Sequence, residues 1–315
     1  MPDKRVLVTA VSGDIGNNIV RILLEAKYQV YAFDMFSVVP CMNDVALFTQ
    51  CPAAKDDNYI DFLIDFIKKH KIQVFIPTNE REIEKVNNNL DAFSALSVKI
   101  LMQSESVLDI CLDKYKTMQF LNENGISVPV VIEDKKDISE KKKYIIKGRK
   151  SNGSKDVHIV SGKDLLLMDN AFNNADSLVQ EYIDGDEYTV GVFRDKTDIR
   201  TIIFKRTLYN GYSKIVKPVN NEKIEKMAVA VAEALNLSGY INIQLRMDSF
   251  GNAFIFEINP RISGTVYFRH MYGFEDVLWS LSLIDGEKCA GYASKNREMI
   301  GIRVMHEKFV TKEEK

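Results

Sequence analysis

The residues 241–261, INIQLRMDSFGNAFIFEINPR, hold the densest set of chemically useful side chains in this 315-residue sequence. Taking 249–252 as a four-residue hairpin loop sets Asp248 opposite Ala253. Counting back then puts Gln244 opposite Glu257 and Asn242 opposite Asn259. Glu257 and Asn259 lie two apart on one strand and therefore project from the same face. That face collects oxygen donors suited to a hard cation, such as a magnesium ion bridging phosphate oxygens. The other face, Phe254, Phe256 and Ile258, is expected to pack on the core. A solvated sheet face is the competing reading of the same spacing. Pro260 ends the ladder, and Arg261 follows as a planar fork suited to phosphate or carboxylate.

Two further segments carry chemistry. In YIIKGRKSNGSKDVHIV, residues 144–160, Lys147 ends a strand, and a glycine- and serine-containing loop follows at 148–156. Such a loop lets backbone N–H groups approach phosphate oxygens while the lysine adds positive charge. The lysine precedes the glycines and no helix follows directly, so this is not a Walker loop; a surface hairpin loop fits equally. In LVQEYIDGDEYTVGVF, residues 178–193, two apolar strands flank Asp184, Gly185 and Asp186, with Glu181 before and Glu187 after. By itself this reads as a β-hairpin.

The elements that must position these groups change character along the chain. Strands at 5–10, 29–33, 72–77 and 99–102 alternate with helical patterns at 16–26, 59–70 and 81–96, which implies a parallel sheet covered on both faces. From about residue 113 a helix at 114–124 precedes strand pairs at 143–148 and 157–160, 178–183 and 187–193, and 240–248 and 253–259. Strands at 199–208 and 213–216 lie between them, with helices at 163–173 and 222–235. Hairpins interspersed with helices indicate an α+β body.

Together and in this order, the segments resemble the ATP-grasp superfamily, most closely its carbamoyl-phosphate-synthase-like and amino-acid-ligase-like branch. The resemblance runs from about residue 113 to 286 and rests on four elements. These are Asp113-Lys114 at a helix start, Lys147 with its glycine loop, the Glu-x-x-x-Gly-x-Glu hinge beginning at Glu181, and the Glu-x-Asn-Pro-Arg strand beginning at Glu257. It implies an α/β and α+β chain with a Rossmann-like pre-ATP-grasp domain at 1–112. A lid or small lobe at 113–180 follows, then a large lobe with the metal and substrate site at 181–315.

By position, the resemblance gives Lys114 and Lys147 the ATP phosphates and Gly153 and Ser154 the lid tip. It gives Glu181 and Ile183 the adenine edge through their backbone, and Glu187 the ribose. Gln244, Glu257 and Asn259 match metal-ligand positions, and Arg261 matches the arginine at the transferring phosphoryl group. Lys147 and Arg261 are thus the expected catalytic residues, with Lys205 and Arg206 as additional charge. The implied reaction is ligation of a small carboxylate to an amine or ammonia through an acyl phosphate, using ATP with magnesium or manganese. Ser263, Thr265, Arg269 and His270 are candidate substrate contacts.

A rival reading comes from VTAVSGDIGNNIV followed by Asp34, which resembles part of a dinucleotide-binding turn and would suit an NAD-dependent epimerase or reductase. Val11 stands where that fingerprint has its first glycine. None of the 13 tyrosines is followed four residues later by lysine, the pair such reductases use. A non-catalytic ATP-binding regulator is a third reading.

A formal net charge of −2 gives no global attraction to nucleic acid or an anionic membrane. No apolar run approaches a membrane span, the N-terminus lacks a signal-peptide pattern, and the four cysteines show no paired spacing. The expectation is a cytoplasmic protein with reduced thiols, small-molecule substrates and a homodimeric assembly.

Overall fold

The computed structural model describes residues 4–150, 157–168, 172, 175–196 and 198–311. The chain begins with alternating β1 (Arg5–Val8), α1 (Asp14–Glu25), β2 (Gln29–Asp34), β3 (Leu47–Gln50), α2 (Tyr59–His70), β4 (Val74–Ile76), α3 (Glu80–Asn87), α4 (Leu90–Phe93) and β5 (Lys99–Ile100). The five strands form a parallel sheet in the order β3-β2-β1-β4-β5. Its two faces divide by the strand period. Val6, Val8, Val30 and Ala32 pack in one cluster with α1, while Leu7, Tyr31, Phe33 and Phe75 pack in another with α2. The helical pattern over 81–96 proves to be two short helices, because Asn88 and Asn89 interrupt it. The edge strand β3 has no counterpart among the strands expected from sequence.

After α5 (Glu105–Cys111) and α6 (Lys114–Glu123) come β6 (Lys143–Gly148), β7 (His158–Ser161), α7 (Gly162–Leu166) and β8 (Ser177–Glu181). The three strands make a small antiparallel sheet in the order β7-β6-β8. Tyr144 and Val179 pack on its far side with Leu165. The remaining elements are β9 (Asp186–Asp195), β10 (Asp198–Tyr209), β11 (Tyr212–Pro218), α8 (Glu222–Ala234), β12 (Gly239–Met247), β13 (Ala253–Asn259), α9 (Val266–Met271), α10 (Asp276–Ile284) and β14 (Gly301–Ile302). They build a second antiparallel sheet, β13-β12-β9-β10-β11-β14. Ile224, Ala228 and Val231 of α8 seal one of its faces against Val190, Val192, Ile241 and Ile243. The cluster containing Val6 and Val8 also takes in Phe193, Phe204 and Trp279, so the parallel sheet and the larger antiparallel sheet share buried surface.

Two expectations from the sequence are corrected here. First, β8 and β9 are not a hairpin. They lie in different sheets, and residues 182–185 form the crossing between them. Gly185 makes the crossing possible: its φ is +149°, and a Cβ there would stand 1.9 Å from the Met247 carbonyl oxygen. Second, the β12–β13 pairing keeps Asn242 opposite Asn259 and Gln244 opposite Glu257, but the register shifts after Gln244, so that Leu245 faces Ile255 and Met247 faces Ala253. The connecting loop is one residue longer than four, and Phe256 is the extra residue of a bulge. The bulge changes which side chains are buried. Ala253, Ile255 and Ile258 enter the core, whereas Phe254 and Phe256 do not.

No helix among the described residues is long and apolar enough to cross a membrane. All four cysteines are free thiols.

Candidate functional site

The three sheets surround one cavity of about 570 Å³. Lys114, Lys147, Glu181, Ile183, Glu187, Gln244, Glu257, Asn259 and Arg261 all line it. Every residue expected to hold nucleotide or metal is therefore brought to one place, apart from Gly153 and Ser154, which fall outside the described residues; Lys205, Arg269 and His270, expected as additional charge or substrate contacts, are not among the lining residues.

Strand alternation aims the small sheet's side chains. Ile145 pairs with Gln180 and with Ile159, and Lys147 lies two residues further along β6. These side chains share the cavity face, while Tyr144 and Val179 point the other way. Lys147 is 5 % exposed, and its Nζ donates to the Phe256 carbonyl at 3.0 Å. Among the described residues no carboxylate forms an ion pair with it. Burial pulls its pKa down to about 8, the neighbouring Glu257 opposes that shift, and Lys114 adds to it.

Lys114 opens α6 directly after the N-cap Asp113, whose carboxylate accepts from the backbone N–H of Tyr115 and is bridged at 2.6 Å by Arg149. The cap fixes where the helix starts and thereby holds Lys114 at the cavity wall. Its Nζ lies 3.8 Å from Glu257. The bulge at Phe256 sends both Phe256 and Glu257 to the cavity, an instance of a bulge re-aiming side chains beside a site. Asn259 is buried, and its Nδ2 has no hydrogen-bond partner among the described residues.

Next to this cluster is a carboxylate–guanidinium network that the sequence indicated only in part. Arg206 donates to Glu187 at 2.6 Å and to Gln244 at 2.8 Å. Arg246 holds the other Glu187 oxygen at 2.8 Å and reaches the Tyr182 hydroxyl at 2.8 Å. Glu187 is thus the counter-ion of two arginines as well as a wall of the cavity. Lys205, one residue away on β10, points outward to Asp186 at 2.7 Å and takes no part. Arg246 was within reach of sequence reasoning, because Asn242, Gln244 and Arg246 share the period-2 face of β12.

The far end of the cavity belongs to the parallel sheet. Gly13, Asp14, Thr78, Asn79 and Glu80 face Arg261, Ser263, Thr265 and Arg303. Arg261 pairs with Glu80 at 2.8 Å, and Arg303 pairs with Asp14. The glycine turn is shaped by packing: a Cβ at Gly16 would lie 2.6 Å from the Ala10 carbonyl oxygen. Asp34 is buried and spends its carboxylate on the Ser12 and Phe36 N–H groups at 2.7 and 3.0 Å. It braces the turn and is not open to a ribose, which weighs against the dinucleotide reading.

Arg269 and His270 do not reach the cavity. His270 sits between Glu25 and Glu275. Arg269 is 1 % exposed, paired with Asp276 at 3.0 Å and bonded to the Asn242 side-chain oxygen, which also accepts from Thr189. Gly191 leaves room for it, since a Cβ there would come within 2.8 Å of the guanidinium. Arg269 therefore positions Asn242 from beneath the sheet and is not among the residues that line the cavity. Removing its partner strands a buried charge. Asp276→Ala is expected to cost about 3–5 kcal/mol of unfolding free energy, read from urea denaturation. A loss below 1 kcal/mol would show that the pair does not carry this role.

Comparison with known proteins agrees with the geometry. Residues 111–265 match the family model of the ATP-grasp domain, and residues 6–101 match that of the PylC-like N-terminal domain. The tyramine–L-glutamate ligase of Methanocaldococcus jannaschii is 26% identical over 234 residues, covering 67% of this chain and 68% of that protein. Among solved structures, the Campylobacter jejuni biotin carboxylase β-γ-ATP complex aligns with a TM-score of 0.73 at 17% identity, over 95% of this chain and 73% of that one. The Bacillus licheniformis L-amino acid ligase aligns with a TM-score of 0.67 at 17% identity, over 89% and 74%. With the cavity between three sheets, the lysine pair and both matched segments in the expected order, the chain carries an ATP-grasp domain at residues 111–265, preceded by a PylC-like N-terminal domain at 6–101.

Proposed function

We propose that this protein is an ATP- and magnesium-dependent ligase that activates a small carboxylate as an acyl phosphate and transfers the acyl group to an amine, releasing ADP and phosphate. The observation that carries this reading is the convergence, in one cavity, of two buried lysines, the amide and carboxylate oxygens of Gln244, Glu257 and Asn259, and Arg261.

The residues fit a polyphosphate. Lys147 is a buried cation with no carboxylate in ion-pair range among the described residues, and Asn259 keeps an unsatisfied buried N–H. Glu257 and Asn259, with Gln244 across the ladder, would hold the magnesium ion, which would supply positive charge to offset that of the phosphates. Lys114 and Lys147 bind and orient the phosphates, with Ile145, Ile159 and Ile183 available to the base.

At the other end, Arg261 and Arg303 can receive a carboxylate, and Asp14 and Glu80 can receive an ammonium group. Each is held ready by its present partner. The carboxylate oxygen attacks the γ-phosphorus and ADP departs. The amine nitrogen then attacks the acyl carbon, phosphate leaves, and the amine proton is lost to a nearby carboxylate or solvent. Positioning and charge stabilisation supply the catalysis, so no protein nucleophile is required.

Thermal unfolding with Mg·ATP, Mg·ADP, NAD and NADP in parallel tests the reading. At a ligand concentration 100 times its Kd, native-state binding adds roughly 2.7 kcal/mol, which raises the Tm by several degrees. A rise with adenine nucleotides, followed by ADP release on supplying a carboxylate and an amine, is the expected result. A rise with NAD or NADP alone would overturn it.

A further inference from the structure

A buried carboxyl that the proposed reaction does not use lies behind the parallel-sheet end of the cavity. Glu82 is 2 % exposed and is not among the lining residues. Its Oε2 accepts from the Thr9 hydroxyl at 2.6 Å and from the Thr78 N–H at 3.3 Å, and its Oε1 accepts from the Tyr59 hydroxyl. Among the described residues no lysine, arginine or histidine pairs with it. Burial raises its pKa, and hydrogen bonds from Thr9, Tyr59 and the N–H groups of Thr78 and Asn79 oppose that shift. A carboxyl buried without a cation is destabilising unless its hydrogen bonds do something else for the fold. Capping does not account for it. Asn79 already caps α3 by accepting from the Arg81 N–H. A glutamate three residues after the N-cap can close a capping box, but that needs neither the burial nor hydroxyls from two other elements.

What Glu82 joins gives the reason. β1 and β4 are neighbours in the sheet, yet the helices that follow them pack on opposite faces, α1 through Ile19 and Leu23 and α3 through Val86. The chain parts at the carboxyl ends of these two strands and opens a crevice there. Ala10, Gly13 and Asp14 line one bank, and Thr78, Asn79 and Glu80 line the other. Glu82 grips both, through Thr9 at the foot of the first and Thr78 in the second, and the Thr78 hydroxyl donates to the Thr9 carbonyl at 2.8 Å. Two residues before Glu82, Glu80 holds Arg261 across the cavity at 2.8 Å. Resting on the ligase reading above, we propose that Glu82 is a positioning residue for the non-nucleotide substrates: it fixes the spacing of the two banks and keeps Glu80 in register with Arg261, without touching substrate itself. The nucleotide end is built by the two antiparallel sheets, so its geometry does not depend on this grip.

The test compares Glu82→Met, which removes every acceptor, with Glu82→Gln, which keeps one carbonyl oxygen for Thr9 and Thr78 and turns an N–H to the Tyr59 oxygen. The first readout is steady-state ADP release with a carboxylate and amine that the wild type turns over. In Glu82→Met the KM of the carboxylate or the amine is expected to rise about 10- to 100-fold, the scale of an ångström's misplacement. Its Kd for Mg·ADP stays at the wild-type value, and Glu82→Gln restores the KM. The second readout needs no substrate: phenylglyoxal labelling of arginines, followed by peptide mass spectrometry. Labelling of Arg261 should speed up severalfold in Glu82→Met, because Glu80 no longer holds it, while Arg206 and Arg246 at the nucleotide end keep their rates. A general loosening of the fold would speed all three. If Glu82→Met does not fold, Thr9→Val, which cuts the grip on one bank only, takes its place. Unchanged Arg261 labelling overturns the proposal, as do wild-type KM values with a lowered Tm, or an equal loss of Mg·ADP affinity. In those cases the ligase reading survives. A wild type that turns over no carboxylate and amine counts against the ligase reading instead, and Arg261 labelling then decides the role of Glu82 by itself.

Discussion

Replacing Glu257 by glutamine is expected to lower magnesium-dependent ADP release roughly 100- to 1,000-fold, in the range seen when a group stabilising transition-state charge is lost. Among Gln244, Glu257 and Asn259 only Glu257 carries charge, so the proposed metal site depends on it far more than on either amide. The substitution keeps shape and both hydrogen-bonding atoms, and Glu257 is only partly buried, so a Tm change of a few degrees at most accompanies it. A second effect separates this role from a structural one. Without magnesium, the Glu257 carboxylate repels the phosphates that Lys114 and Lys147 attract. Metal-free ATP should therefore bind the variant at least as tightly as it binds the wild type, while the gain in affinity on adding magnesium disappears. Full activity in the variant, or an intact magnesium dependence of binding, would remove Glu257 from the metal site. A wild type that binds Mg·ATP but never turns over with any carboxylate would favour the non-catalytic regulator.

What the sequence disclosed, and what it hid, follows from where information is local. Glu257 and Asn259 were legible because a charged residue and an amide two apart on an otherwise apolar strand leave few inexpensive explanations. The bulge at Phe256 was not legible. It depends on how five residues, not four, close the loop over Asp248, which caps it by accepting from the Phe250 and Asn252 N–H groups. The register at Gln244 and Glu257 was right because the longer loop and the extra residue on β13 compensate each other. The same compensation reversed the burial of Phe254 and Ile255. The Tyr182–Gly185 crossing looked like a hairpin because turn residues between two apolar strands do not say which sheet each strand joins. Arg269 looked like a substrate ligand because its burial depends on the missing Cβ of Gly191, some 80 residues earlier in the chain. Arg303 lies in an irregular segment with no periodicity to give it a direction.

Lys147→Met should make the free protein more stable while abolishing nucleotide binding. The lysine is buried without an ion-pair partner among the described residues, and burial already lowers its pKa to about 8. An apolar side chain of similar length removes that desolvation cost, and replacements of buried charges by well-packed apolar groups gain about 1–3 kcal/mol. Part of the gain is offset because the Phe256 carbonyl loses its donor. The pH dependence fixes the sign. Between pH 8 and the ordinary lysine range, the unfolded chain holds this proton more often than the folded one, so wild-type stability gains from this residue as pH rises through that window. Below pH 8 the penalty is present in full. The Met variant lacks this component, so its advantage over wild type should be greatest below pH 8 and shrink above it. Binding runs the other way, because phosphate favours the charged lysine. Wild-type ATP affinity should therefore weaken above pH 8 by up to tenfold per pH unit, with net proton uptake seen by calorimetry in buffers of different ionisation enthalpy. A less stable Met variant that still binds ATP would remove Lys147 from the phosphate site. A more stable variant with no affinity would show that the fold keeps a strained, buried cation for the sake of an anion it binds.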